Sequence, residues 1–171
     1  NISDLSMLTE LVSLKSLKLS SVQLPNNLVG FEKLTLLNKI TLASSNITNL
    51  DFLSEVKSLN TINIDSTSVS DLNPVSNLKN LSVLQANNTP VQNLQPLLKL
   101  ENLKLIYCDN SKVNKQEALS FIEKKPECTV IYNTNELLKW WDSLSENWQS
   151  IAHSRMQLSN PVTKEQLHQI I

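Results

Sequence analysis

A chain of 171 residues, 40% apolar and 18% charged with a formal net charge of −1, has the composition of a globular domain rather than a disordered one. It lacks the basic surplus of a generic nucleic-acid binder, and no apolar run nears the ~20 residues of a membrane span. A single glycine, Gly30, excludes the glycine-rich loops that cradle phosphates or dinucleotides, and two cysteines without a CxxC exclude a disulfide scaffold.

The chain opens NISDLSMLTEL, and SVSDLNPVSNL echoes this from Ser68. From Leu14 onward a unit emerges. The pattern L-x-x-L-x-L, with close apolar substitutes, falls at Leu14/Leu17/Leu19, Leu37/Ile40/Leu42, Leu59/Ile62/Ile64, Leu81/Leu84/Ala86 and Leu103/Ile106/Cys108. The steps are 23, 22, 22 and 22 residues. Ile47, Val69, Val91 and Val113 keep the same phase, as do Leu50, Leu72 and Leu94. A fixed period of this size means stacked units, none of which can bury its apolar stripe alone. Each unit predicts one short strand, centred on Leu17, Ile40, Ile62, Leu84 or Ile106. The five strands are expected to lie parallel on one concave sheet, with alternate side chains pointing inward. Ile2, Asp4, Leu5, Leu8 and Leu11 share the phase of Val69, Asp71, Leu72, Val75 and Leu78, so the opening reads as half a repeat without its strand. That predicts a segment of a longer protein, the alternative being a modest cap.

These residues resemble the leucine-rich-repeat family. The 22-residue length, with V-S-D-L-N-P-V at 69–75 and V-Q-N-L-Q-P-L at 91–97, is similar to the internalin-type bacterial variety. The resemblance implies an α/β solenoid with a parallel concave sheet and 3₁₀ or irregular segments on the convex side. Pro74 and Pro96 suit such segments by presetting φ. The family's bend asparagine is replaced by Ser45, Thr67, Thr89 and Ser111, and by Val22 in the irregular first unit. Their hydroxyls are expected to bond the turn backbone instead. Asp4, Asp71, Asn49 and Asn93 recur at one repeat position and read as turn caps, not as acid–base catalysts.

After Val113 the phase breaks. Asn114 followed by Glu117 predicts a helix start, Ala118, Leu119, Phe121 and Ile122 form its stripe, and CTVIY at 128–132 predicts one more strand. The solenoid is therefore expected to span 1–132. Residues 133–171 read as a helical cap or inter-block linker. Leu137, Trp141, Leu144, Trp148, Ile151 and Arg155 step at helical spacing, with a restart near Ser143 and another start at Thr163-x-x-Gln166. The three tryptophans are expected to pack this appendage onto the end of the solenoid, the alternative being an exposed partner site. The W-W-D-S-L-S-E-N-W-Q and P-V-T-K-E-Q-L stretches resemble a helical module beside such repeats in large Bacteroidetes-type proteins.

Chemistry is sparse. His153 and His168 lie apart from each other and from both cysteines, so no metal, cofactor or nucleophile is expected and the chain reads as non-enzymatic. Cys108 occupies an inward strand position. Cys128 falls one layer on, and whether the two pair is left open. The outward strand positions form three columns. One reads Lys18, Thr41, Asn63, Gln85, Tyr107; its neighbours read Ser16, Lys39, Thr61, Val83, Leu105 and Ser20, Ala43, Asp65, Asn87, Asp109. Lysines mark one end, amides the middle, and Val83, Leu105 and Tyr107 the other. The candidate partner-binding residues are Lys18, Lys39, Asn63, Asp65, Val83, Gln85, Asn87, Leu105, Tyr107 and Asp109. The expected function is protein binding through the concave face. A structural spacer in a larger surface or envelope protein, or a carbohydrate-binding face, is the alternative. No nucleic acid and no membrane insertion of this segment are expected. Tail helices folded over Leu105 and Tyr107 would instead make that patch internal packing.

Overall fold

The computed structural model describes residues 5–170. Six three-residue strands form one parallel sheet in chain order: β1 (Ser16–Lys18), β2 (Lys39–Thr41), β3 (Thr61–Asn63), β4 (Val83–Gln85), β5 (Leu105–Tyr107) and β6 (Thr129–Ile131). The register pairs Leu17 with Ile40, Ile40 with Ile62, Ile62 with Leu84, Leu84 with Ile106 and Ile106 with Val130. The five expected strands and the closing one are all present. Short 3₁₀ turns cross the back at Phe31–Lys33, Asp51–Leu53, Asn73–Val75 and Gln95–Lys99, the last two with Pro74 and Pro96 in their first turn. A helical turn, α1 (Ser6–Thr9), stands where the phase of the opening half-repeat places it, while Ile2 and Asp4 lie outside the described residues.

Local chemistry explains each bend. The hydroxyls of Ser45, Thr67, Thr89 and Ser111 donate to the carbonyls of Leu42, Ile64, Ala86 and Cys108, three residues back, at 2.6–2.7 Å. Buried carbonyls at the bend are thereby satisfied without the family's asparagine. Just before each hydroxyl the backbone turns left-handed at Ser44, Ser66, Asn88 and Asn110, and Ser21 does the same before Val22, all with φ of 54–58°. The N–H groups of Ser21, Ser44, Ser66 and Asn88 bond across to the next layer, as in Ser44 N to Asp65 O and Asn88 N to Asp109 O, both 2.8 Å. That bond helps offset the steric cost of αL in an L-residue. The expected turn caps hold as well: Asn49, Asp71 and Asn93 accept from the N–H groups of Asp51, Asn73 and Gln95. Gly30 has φ +86° before the first 3₁₀ turn, and a Cβ there would sit 3.0 Å from Thr9 Oγ1, so both conformation and space require glycine.

The inward residues form one continuous core from Leu17 to Val130, in which Ile40, Ile62, Leu84 and Ile106 are fully buried. Phe121 and Ala118 of α2 (Lys115–Lys124) bury into its last layers. Asn114 caps α2 by accepting from Glu117 N at 2.9 Å. The Glu117 carboxylate reaches the previous repeat instead of closing a capping box, accepting from Leu94 N at 2.7 Å.

The tail comprises α3 (Thr134–Ser143), α4 (Glu146–Met156) and α5 (Lys164–Ile170). It holds its own small core, Leu137, Trp141 and Leu167, edged by Leu144, Ala152, Leu158, Val162 and Ile170. Thr163 and Gln166 cap α5 reciprocally, as their spacing predicts. The restart near Ser143 is present, but Ser143 ends α3 and donates to Trp140 O, while Ser145 is the residue before α4. The expectation for the tryptophans is corrected. Trp141 packs within the tail itself, and Trp140 and Trp148 are 40% and 63% exposed. The tail meets the solenoid through α5, which carries no tryptophan, and through Thr134 at the start of α3.

Candidate binding face

Strand alternation turns the three outward columns onto the concave side of the sheet. Lys18 and Lys39 are exposed, and Asn63, Asp65, Val83, Gln85, Asn87, Leu105, Tyr107 and Asp109 are each partly covered by their neighbours. The register sets Val83 directly beside Leu105, and Gln85 between Asn63 and Tyr107. Two aliphatic side chains thus sit side by side on a face that is otherwise polar.

The polar residues are pre-bonded. Asn63 Nδ2 donates to Gln85 Oε1 and to Asp65 Oδ2, and Asp65 N donates back to Asn63 Oδ1. A ladder then climbs the third column one layer at a time: Asn87 N to Asp65 Oδ1 at 2.7 Å, Asp109 N to Asn87 Oδ1 at 2.9 Å, and Thr134 N to Asp109 Oδ1 at 2.8 Å. Each side chain satisfies the backbone of the following layer, which fixes its rotamer before any partner arrives. This ladder was not anticipated from the sequence, although Asp and Asn recurring at 22-residue steps are its signal.

The far end of the face is shared with the tail. Tyr107 OH donates to Glu165 Oε1 at 2.9 Å, and Lys164 Nζ lies 4.9 Å above the Tyr107 ring. The same ammonium is 3.9 Å from Asp109 Oδ2, which also accepts from Thr134 Oγ1. Tyr107 and Asp109 therefore bond the tail from the concave face, in part as the competing expectation of a tail-covered patch requires. On α5, His168 bonds Lys164 O through Nδ1 and accepts Tyr132 N–H at Nε2, and fully buried Leu167 anchors the helix below. Lys164 and Glu165 join the face without having been legible as site residues, since nothing in α5's own pattern names its docking surface.

Burial, then the bond and charge of Glu165, push the Tyr107 hydroxyl up to about 12 from its ordinary 10.0. Burial opposes ionisation of Glu165, but backbone N–H groups, the hydroxyls of Tyr107 and Thr163, and Lys164 together hold its carboxyl below the usual range. A raised acid pKa favours the neutral phenol in the folded chain. The contact therefore contributes fully below pH 10.0 and is lost as pH rises through about 12. An ultraviolet tyrosinate titration is expected to show Tyr107 ionising late, with the Tyr107→Phe variant lacking that phase. Early ionisation of both tyrosines together would contradict the contact.

Other groups are occupied structurally. His153 stacks edge-on against Trp141 at 5.5 Å. Among the described residues no group of three or more His, Cys, Asp or Glu could hold a metal ion. Cys108 and Cys128 are free. Both are buried, each just outside the strand it adjoins. Burial pushes both thiols up to about 12. Residues 24–28, 46–49, Asp51 and Phe52 line a cleft of about 350 Å³, where the Asn46 amide is committed to Leu24 N and O. No helix among the described residues is long and apolar enough to cross a membrane.

No protein-family model and no curated protein sequence matches the chain. Solved structures do. Internalin C2 of Listeria monocytogenes aligns at 25% identity and TM-score 0.68 over 77% of this chain and 57% of its own. A second Listeria monocytogenes internalin, InlF, aligns at 22% and 0.63 over 78% of this chain and 38% of its own. A leucine-rich-repeat protein of Leptospira interrogans aligns at 23% and 0.66 over 72% of this chain and 32% of its own. The chain thus spans little more than half the length of internalin C2, and less of the other two. These matches do not address the Bacteroidetes-type resemblance of the tail.

Proposed function

We propose that the chain, whose fold is that of the internalin-type leucine-rich-repeat structures it aligns with, is a non-catalytic module that binds another protein through its concave sheet. The observation that carries this reading is the pre-bonded polar frame beside Val83 and Leu105. Asn63, Gln85, Asp65 and Asn87 are held by one another and by the backbone, so little side-chain freedom is lost on association. The two aliphatics along its edge offer area to desolvate, and interfaces combine apolar area with polar surroundings. Lys18 and Lys39 form the rim at one end, Tyr107 and Asp109 at the other. Residues 1–132 form the binding solenoid in this reading, and 133–171 a helical cap whose α5 completes the far rim.

The test compares proteins retained by the parent chain, by Leu105→Glu on the concave face, and by Leu119→Glu, whose side chain is 49% exposed on α2. The Leu105→Glu variant is expected to lose the partners that the parent and Leu119→Glu both keep. Equal retention by all three, with unchanged melting, would overturn the concave assignment.

A further inference from the structure

Resting on that reading, we infer that the concave face selects a polypeptide segment carrying acidic residues about four positions from an apolar anchor. Lys18 and Lys39 stand at outward positions of β1 and β2, exposed and without an ion-pair partner among the described residues. The register pairs Lys39 with Ser16 and Lys18 with Thr41, which places the two lysines on a diagonal ~8 Å apart. The other outward residues of these layers, Ser16, Ser20, Thr41 and Ala43, supply no carboxylate. Two unpaired ammoniums at that distance repel each other, and a carboxylate between them relieves both.

The apolar pair, Val83 and Leu105, lies three layers further on, ~14 Å at strand spacing. An extended segment covers that distance in roughly four residues. Beside Leu105 in the same layer, Lys164 and Glu165 cover Tyr107 and Asp109 and bound the face on that side of the strand. A polypeptide fits better than a nucleic acid. Asp65, Asp109 and Glu165 line the same face and would repel a uniform polyanion, whereas a peptide can confine its carboxylates to the lysine end.

The experiment selects displayed random peptides of about 12 residues on the full chain, then titrates the strongest by fluorescence anisotropy. The targets are the parent, Lys18→Glu/Lys39→Glu and Leu105→Glu, with an oligo-dT of similar length as a second probe. Selected peptides are expected to place Asp or Glu three to five positions from an aliphatic or aromatic residue. The double charge reversal is expected to weaken them about tenfold or more, with binding falling as salt rises and oligo-dT binding more weakly throughout. Both lysines are exposed, so this variant should melt like the parent. Peptides without acid, or peptides that bind the double variant unchanged but lose Leu105→Glu, overturn the acidic preference and leave the concave site standing. Failure to select any peptide, or indifference to both substitutions, overturns the site and the preference together. Tighter binding of oligo-dT replaces the peptide with a nucleic-acid ligand.

Discussion

Replacing Ile62 with aspartate is expected to cost at least ~4 kcal/mol, the largest effect of any single change considered for this fold. Ile62 is fully buried in β3, with Ile40 beside it on one strand and Leu84 on the other. A carboxylate there finds apolar side chains in both neighbouring layers and no water. It must either ionise unpaired or take up a proton, and both routes destabilise the stack. Because each layer's core is its neighbours' core, the damage spreads along the solenoid. A total stability of about 5–15 kcal/mol is usual for a domain, so the variant should unfold at much lower denaturant, or not fold at all. Thr61→Asp, one residue away on the concave side, is the control and should change stability by less than ~1 kcal/mol. A denaturant midpoint for Ile62→Asp equal to that of the parent would contradict the shared-core reading.

The second large effect concerns the tail. Leu167 is fully buried against Leu137 and Trp141, so Leu167→Ala should cost about 2–5 kcal/mol through lost contact and the cavity left behind. The cost should fall on the tail first, since its core is separate from the one that runs from Leu17 to Val130. Tryptophan emission, which follows Trp141, is expected to red-shift at lower denaturant than the loss of far-ultraviolet signal from the solenoid. The same variant should also release Tyr107 from Glu165 and bring its ionisation down toward the ordinary range. A single coincident transition for both signals would show that tail and solenoid unfold as one unit.

The strands were legible because a 22-residue period aligns every inward residue with its neighbours, and burial on one side leaves no freedom of register. Ser45, Thr67, Thr89 and Ser111 were legible as bend residues because a hydroxyl can do locally what the absent amide would do. The left-handed residues just before them were not. Ser21, Ser44 and Ser66 carry no conformational signature, and only Asn88 and Asn110 belong to a residue type enriched there. The docking of α5 was also hidden. Thr163-x-x-Gln166 predicts where the helix starts, but Glu165 meets Tyr107 across 58 residues of sequence, and no local rule reaches that far. The tryptophans misled for a related reason. Aromatic residues signal packing without saying against what, and Trp141 found its partners within the tail.

Methyl NMR of the full chain, titrated with a protein partner retained by the parent, decides whether the concave sheet is the proposed binding surface. The methyl signals of Val83 and Leu105 are expected to shift or broaden, while those of Val29 and Leu119, exposed elsewhere on the chain, stay in place. Unchanged Val83 and Leu105 signals with shifts at Val29, Leu119 or the tail methyls would contradict the concave assignment.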